Sequence, residues 1–248
     1  MKREVETSLN TQIAQEGAGE TCEADGRNIN IVNLCKDAVR IFATKRDGST
    51  AQGSGTLMSA KGDIVTSDHD ITDADVTSVE IQFSGKEHRT ATLVGRNGAS
   101  GTVVYRVNGG ADKLPQPYYT LKFAQTGGDR FLSPTIAFLY PKRSLDPVVI
   151  RGVLGDKVPF GVMDSNLLSA RTPLLDRSLM AERIFMPTTT GDSGGAVALE
   201  STGEIVGLVQ YARTERSPQR LKDPTVLDQA LLTPADRIIE LLSRVDNQ

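Results

Sequence analysis

The sequence has no tryptophan, only two cysteines and two histidines, and no apolar run long enough to cross a bilayer as a helix. Each scarcity removes a class of protein. Two cysteines without nearby histidines make no zinc site, and a chain of 248 residues can bury a core without a disulfide framework. Cys22 and Cys35 could close one small loop in an exported protein, whereas in the cytosol they would be ordinary thiols. A net charge of -3 gives no electrostatic case for nucleic acid or an anionic membrane as partner. Met1 to Gln15 mix charged and polar residues around no apolar signal core. The expectation is therefore a cytoplasmic protein, or a periplasmic or secreted one whose signal peptide has been removed.

What the chain does have is an ordinary soluble balance, 38% hydrophobic and 24% charged, with 23 glycines and 11 prolines punctuating it. Residues 1–35 read as a polar extension without sustained periodicity. Short runs rich in β-branched residues follow: Val39–Ala43, Thr56–Ser59, Asp63–Ser67, Ser78–Phe83, Thr90–Val94 and Val103–Val107. The turn-rich stretch Asn108–Gln116 separates them from a second set. That set comprises Tyr119–Phe123, Thr135–Tyr140, Val148–Leu154, Arg183–Met186, Ala196–Leu199 and Ile205–Tyr211. Two groups of about six strands result, one over residues 36–107 and one over 119–232. The period then changes. Thr233 as N-cap, Pro234 in the first turn and a stripe of Ile238, Ile239, Leu241, Leu242 and Val245 predict a helix over 234–245.

The strongest chemical signal is Gly191-Asp192-Ser193-Gly194-Gly195. Glycines beside a serine allow a sharp turn that brings the N–H groups of Gly191 and Ser193 towards an approaching carbonyl, which an oxyanion hole requires. Taken alone, the string could be a turn between strands. A serine hydroxyl becomes a useful nucleophile only when a base takes its proton, and the chain offers two histidines. His88 lies in the charged turn Gly85–Arg89 and reads as a solvated residue. His69 follows directly on the strand Asp63–Ser67, where a rigid scaffold would hold a catalytic group.

Gly53-Ser54-Gly55-Thr56-Leu57-Met58-Ser59, then Lys61-Gly62-Asp63-Ile64-Val65-Thr66 and His69, resembles the catalytic-histidine segment of HtrA/Deg proteases, a branch of the trypsin-like serine proteases. Gly191–Gly195 resembles the nucleophile loop of the same clan, and Leu93-Val94-Gly95-Arg96 the run that leads into its catalytic aspartate. Leu114–Leu121, Ile136–Pro141 and Gly203–Gly207 follow in order, so the likeness spans roughly residues 36–245. It implies an all-β chymotrypsin-like fold: two six-stranded antiparallel β-barrels, the first carrying His69 and the second Ser193, closed by a C-terminal α-helix. It also implies a serine endopeptidase with no cofactor or metal and a peptide or protein substrate. Because the sequence ends with that helix, the PDZ modules common in HtrA proteins are not expected in it.

One departure bears on activity. The resemblance places Gly101 where the family has its aspartate, and no acid lies between Arg96 and Asp112. In trypsin, replacing that carboxylate with Asn lowers kcat by about 10⁴. Ser100, Asn97 or a displaced Asp112 could orient His69 instead, or Ser193 and His69 could work slowly as a dyad. Alternatively the chain is a pseudoprotease that binds a peptide or partner without turnover. Asp192 could receive a new amine if the chain were cut before Ile31-Val32, or could bond backbone locally. By resemblance, Gln210-Tyr211-Ala212 would form the substrate edge and Pro187 the pocket floor, with Thr188, Thr189 and Thr190 either lining the pocket wall or forming a polar loop. With no acid at 187 and Ala212 narrowing the pocket, small or medium aliphatic residues are expected before the cut.

Overall fold

The computed structural model describes residues 22, 28–69, 71, 75–84, 87–115, 117–125, 130–142, 144, 146–162, 174–188, 190–212 and 229–247. Strand β1 (Ala38–Lys45) is followed by β2 (Thr50–Leu57), β3 (Asp63–Ser67), β4 (Val76–Gln82), β5 (His88–Asn97) and β6 (Thr102–Val107). They close an antiparallel barrel in the order β1-β2-β3-β6-β5-β4. A second antiparallel barrel contains β7 (Pro134–Leu139), β8 (Val148–Pro159), β9 (Met180–Phe185), β10 (Ala196–Leu199), β11 (Ile205–Ala212) and β12 (Gln229–Pro234). Its order is β10-β11-β12-β9-β8-β7. Closure leaves neither sheet with an unpaired edge strand.

The inward-facing aliphatic residues explain both barrels. Val39, Ile41, Leu57, Ile64, Ile81 and Val103 fill the first. Leu139, Leu154, Ile184, Val197, Val206 and Leu232 fill the second. A third cluster joins the two: Val65 and Val104 of the first barrel meet Phe138, Tyr140 and Leu208 of the second. The C-terminal helix α2 (Ala235–Asp246) adds Ile238, Leu241 and Val245 to this junction. A Cβ at Gly95 would overlap Val245, so the glycine lets β5 approach the helix closely.

Three local readings need correction. Tyr119–Phe123 forms no strand; Phe123 makes one isolated parallel bridge with Ile205. The sixth strand of the second barrel is instead β12, which runs directly into the helix start. Thr233 is consequently not the N-cap, since it pairs with Leu208 and its hydroxyl donates to the Ser100 carbonyl at 2.8 Å. Finally, the supposed polar extension includes a helix, α1 (Ile29–Asp37), capped by the Asn28 side chain on the Asn30 N–H. Two asparagines, Asn30 and Asn33, dilute its pattern, but Ile31, Leu34 and Cys35 are buried at helical spacing. Cys22 and Cys35 form a disulfide that ties the preceding segment to α1.

Candidate active site

The loop before β10 can take its course only because of its glycines. Gly191 has φ +105°, and a Cβ there would lie 2.7 Å from both the Lys142 nitrogen and the Tyr140 carbonyl oxygen. Gly194 has φ +93°, and a Cβ would overlap Thr66 Oγ1 and the Ser54 carbonyl oxygen. Between them the carbonyls are pinned. Thr190 O accepts from Lys142 N at 2.8 Å, Asp192 O from Gly195 N at 3.3 Å and Ser193 O from Ser54 N at 2.9 Å. Gly191 O accepts from the Ser54 hydroxyl at 2.8 Å. In a planar trans peptide the N–H points opposite its carbonyl. The Gly191 N–H is therefore directed away from Lys142, and the Ser193 N–H away from the Gly195 turn. Ser193 itself is only partly buried.

The first barrel brings the end of β3 to this loop. Ser67 ends β3 opposite Thr102, and the Gly194 backbone packs against Thr66 and Ser67, just ahead of His69. Thr66 donates to the Ser54 carbonyl at 2.7 Å, so β2, β3 and the nucleophile loop are bonded together. His69 is 9% exposed. Its neighbour Asp68 receives Arg96 Nε at 2.7 Å and donates its own N–H to the Gly101 carbonyl at 2.7 Å. Tyr105 donates to Ile71 O at 2.7 Å; burial first, then the Asp68 charge, push its pKa up and keep it a phenol. His88, by contrast, is exposed, stacks on Phe42 and lies 3.4 Å from Glu80. It is a surface residue, as its charged turn suggests.

The groups considered as substitutes for the missing carboxylate are otherwise engaged. Ser100 Oγ lies 2.7 Å from Thr102 Oγ1 and 3.3 Å from Asn97 O, while Asn97 Oδ1 receives the Ser100 N–H at 3.3 Å. Both residues brace the turn they stand in. Asp112 sits in the single helical turn Gly110–Lys113 beyond the far end of β6. Because Ser67 pairs with Thr102 and Asp63 with Arg106, the length of β6, roughly 17 Å, separates it from the His69 end. Gly101 has φ +66°, and a Cβ there would overlap the Gln210 amide.

Gln210 is thus not part of an exposed edge: it is 0% exposed. The β11–β12 register shifts between Val209 and Tyr211, so Gln210 is the extra residue of a bulge that turns its side chain inward. Tyr211 and Ala212 pair with Leu231 and Ala230 on β12. On the opposite edge, β10 and the nucleophile loop hold β11 only as far as Val209, through Gly194 N to Val209 O at 2.7 Å and Val209 N to Gly195 O at 2.9 Å. Pro187 is exposed and Thr188 is buried, whereas Thr189 and the Tyr211 and Ala212 side chains lie outside the described residues. Asp192 is fully buried. Ile31 N donates to Asn28 O at 2.9 Å within the first turn of α1, so a cut before Ile31 would break a docked helix.

The model of the trypsin-like peptidase domain matches residues 53–208, and the chain belongs to that family. No curated protein matches the sequence. Among solved structures, the chain is similar to the active form of the Rv3671c protease from M. tuberculosis, with TM-score 0.65 and 17% identity, covering 88% of this chain and 84% of that one. It is similar to a serine endoprotease from Yersinia pestis, with TM-score 0.61 and 16% identity over 87% of this chain. It also resembles the HtrA-type protease AlgW with a tripeptide, with TM-score 0.65 and 16% identity over 87% of this chain. The chain spans 65% of the Yersinia structure and 62% of the AlgW structure. These likenesses establish the two-barrel trypsin-like fold.

Proposed function

We propose that this chain is a serine endopeptidase. The supporting observation is the pinned nucleophile loop: its four carbonyls are bonded, and those of Thr190 and Asp192 turn the Gly191 and Ser193 N–H groups away from Lys142 and the Gly195 turn, free to meet an oxyanion, beside the strand end that leads to His69. In this reading, Ser193 Oγ attacks the peptide carbonyl and passes its proton to His69. The tetrahedral oxyanion is held by the two N–H groups. Collapse breaks the C–N bond, His69 returns the proton to the departing amine, and water then releases the acyl group by the same path. An extended peptide would add to the β11 edge beyond Val209, with small or medium aliphatic side chains before the cut. The Cys22–Cys35 disulfide supports an oxidising compartment as the place of work.

The second reading, a peptide-binding pseudoprotease, draws on Gly101. A fluorophosphonate probe separates the two, because it reacts only with an activated serine. Labelling of the parent chain and not of Ser193→Ala is expected. Equal absence of labelling in both would replace the peptidase reading with the binding module.

A further inference from the structure

The chain lacks a carboxylate at position 101, and a buried amide stands in the space that a side chain there would use. Gln210 reaches this place from the other barrel. Its bulge aims it inward, it is 0% exposed, and its terminal amide fills the Cβ position of Gly101. The Gly101 carbonyl in turn accepts the N–H of Asp68, the residue before His69. On its own strand, Gln210 follows Val209, whose N–H and C=O bond Gly195 and Gly194 of the nucleophile loop. The amide is therefore inserted between the nucleophile loop and the turn that backs His69.

Its hydrogen bonds fix which way the amide faces. As placed, Oε1 lies 3.3 Å from Thr233 Oγ1, and Nε2 is buried without a partner among the described residues. A threonine hydroxyl has one proton, and Thr233 gives it to the Ser100 carbonyl at 2.8 Å, a group that can only accept. Thr233 Oγ1 can therefore only accept from Gln210. Rotating the amide by 180°, an exchange of two atoms that diffraction itself seldom distinguishes, gives Nε2 an acceptor and turns the carbonyl oxygen towards Gly101. One rotation removes both conflicts: the hydroxyl is no longer asked to donate twice, and the buried donor is paired.

We propose that Gln210 is the positioning residue of this site, its Oε1 accepting the Nδ1–H of His69 in place of the absent carboxylate and holding the tautomer whose Nε2 faces Ser193. The assignment rests on the peptidase reading for its consequence, and for its geometry on the Gln210 amide beside Gly101, whose carbonyl bonds the residue before His69. A neutral acceptor can fix the tautomer but lends little stabilisation to an imidazolium, so the site is built for a weaker base than a carboxylate-backed one.

The test uses the full chain and its Gln210→Glu, Gln210→Leu and Thr233→Val variants, with two readouts. The first is ¹⁵N NMR of the imidazoles across pH; with only His69 and His88 in the sequence, His88→Gln assigns both. The second is the pH dependence of fluorophosphonate labelling at Ser193. Gln210→Glu is expected to raise the His69 pKa by about one unit or more and to move the acid limb of labelling with it. Gln210→Leu should mix the His69 tautomers and slow labelling about 10²-fold in the fraction that remains folded. Thr233→Val, which leaves Gln210 in place but frees its amide to rotate, should mix the tautomers partially. Unchanged His69 shifts and pKa in folded Gln210→Glu would overturn the proposal, whatever happens to stability. If the parent never labels yet its His69 responds to Gln210→Glu, the peptidase reading fails and the positioning contact stands.

Discussion

Ser54, on the first barrel, donates its hydroxyl proton to the Gly191 carbonyl at 2.8 Å while the same oxygen accepts the Tyr140 N–H at 2.8 Å. One buried hydroxyl thereby sets the nucleophile loop against both barrels. Ser54→Ala leaves a buried carbonyl and a buried N–H unsatisfied, and the expected loss is about 1–3 kcal/mol of unfolding free energy. The loop should also lose its register, so Ser193 labelling should slow more than the fraction unfolded accounts for. Urea unfolding and probe labelling on one preparation measure both; a stability loss with unchanged labelling would show that the loop holds its shape without Ser54.

Two left-handed glycines should respond unequally to alanine. At Gly48, with φ +81°, nothing lies within 4 Å of a Cβ, so alanine meets only backbone strain, about 1–2 kcal/mol. At Gly194 the new Cβ would strike Thr66 and the Ser54 carbonyl oxygen, neither a flexible side-chain end. Gly194→Ala should cost well over about 3 kcal/mol or displace the loop. The comparison uses unfolding midpoints, and a Gly194→Ala protein no less stable than Gly48→Ala would contradict the close docking described above.

Asp37 gives the fold a pH dependence unrelated to catalysis. Burial pushes its carboxyl up to about 8, with the Tyr119 N–H at 3.2 Å opposing the shift. Between the ordinary value near 3.8 and about 8 the folded chain keeps a proton that the unfolded chain has lost. Its contribution is therefore most favourable below the lower value and declines as pH rises through this window, with a limiting slope of about 1.4 kcal/mol per pH unit. Asp37→Asn keeps an acceptor for Tyr119 and should remove that slope. The difference between parent and variant unfolding free energies at several pH values from 5 to 8 isolates it; a constant difference would mean that Asp37 is ionised in the folded chain.

The barrels could be read from the sequence because a closed sheet demands a local pattern, short β-branched runs broken by glycine and proline, and most strands obey it. Ser193 and His69 stand out in the sequence as candidates because acyl transfer restricts residue types: a serine among glycines, and a base at the end of a strand. The rest depends on contacts between distant segments. β12 merges with the helix that follows, so no turn marks its end. Gln210 reads by resemblance as part of the substrate edge, because only the bulge opposite Leu231 and Leu232 and the empty side of Gly101 reveal that it faces inward. Ser54 falls within a glycine-rich stretch whose importance is legible, but its bond to Gly191 is not.

The absent carboxylate invites the repair Gly101→Asp, and the packing around Gly101 argues that the single change will fail. Aspartate tolerates a left-handed backbone better than most residues, so φ +66° alone is no bar. The obstacle is space: the new Cβ would overlap the Gln210 amide, with Leu175 Cδ1 3.3 Å away on the other side. Gly101→Asp should therefore lose stability and label no faster than the parent. Shortening the obstructing side chain reverses this expectation, since Gln210→Ser clears the amide and leaves room for a carboxylate. The double variant should label at least about tenfold faster than Gln210→Ser alone, with an acid limb displaced to higher pH by the new charge beside His69. Labelling rates for the four proteins of this cycle give the coupling between positions 101 and 210 directly. A single Gly101→Asp variant that outruns the parent would mean that the Gln210 amide yields its place readily, and the two side chains would then not be alternatives for one position.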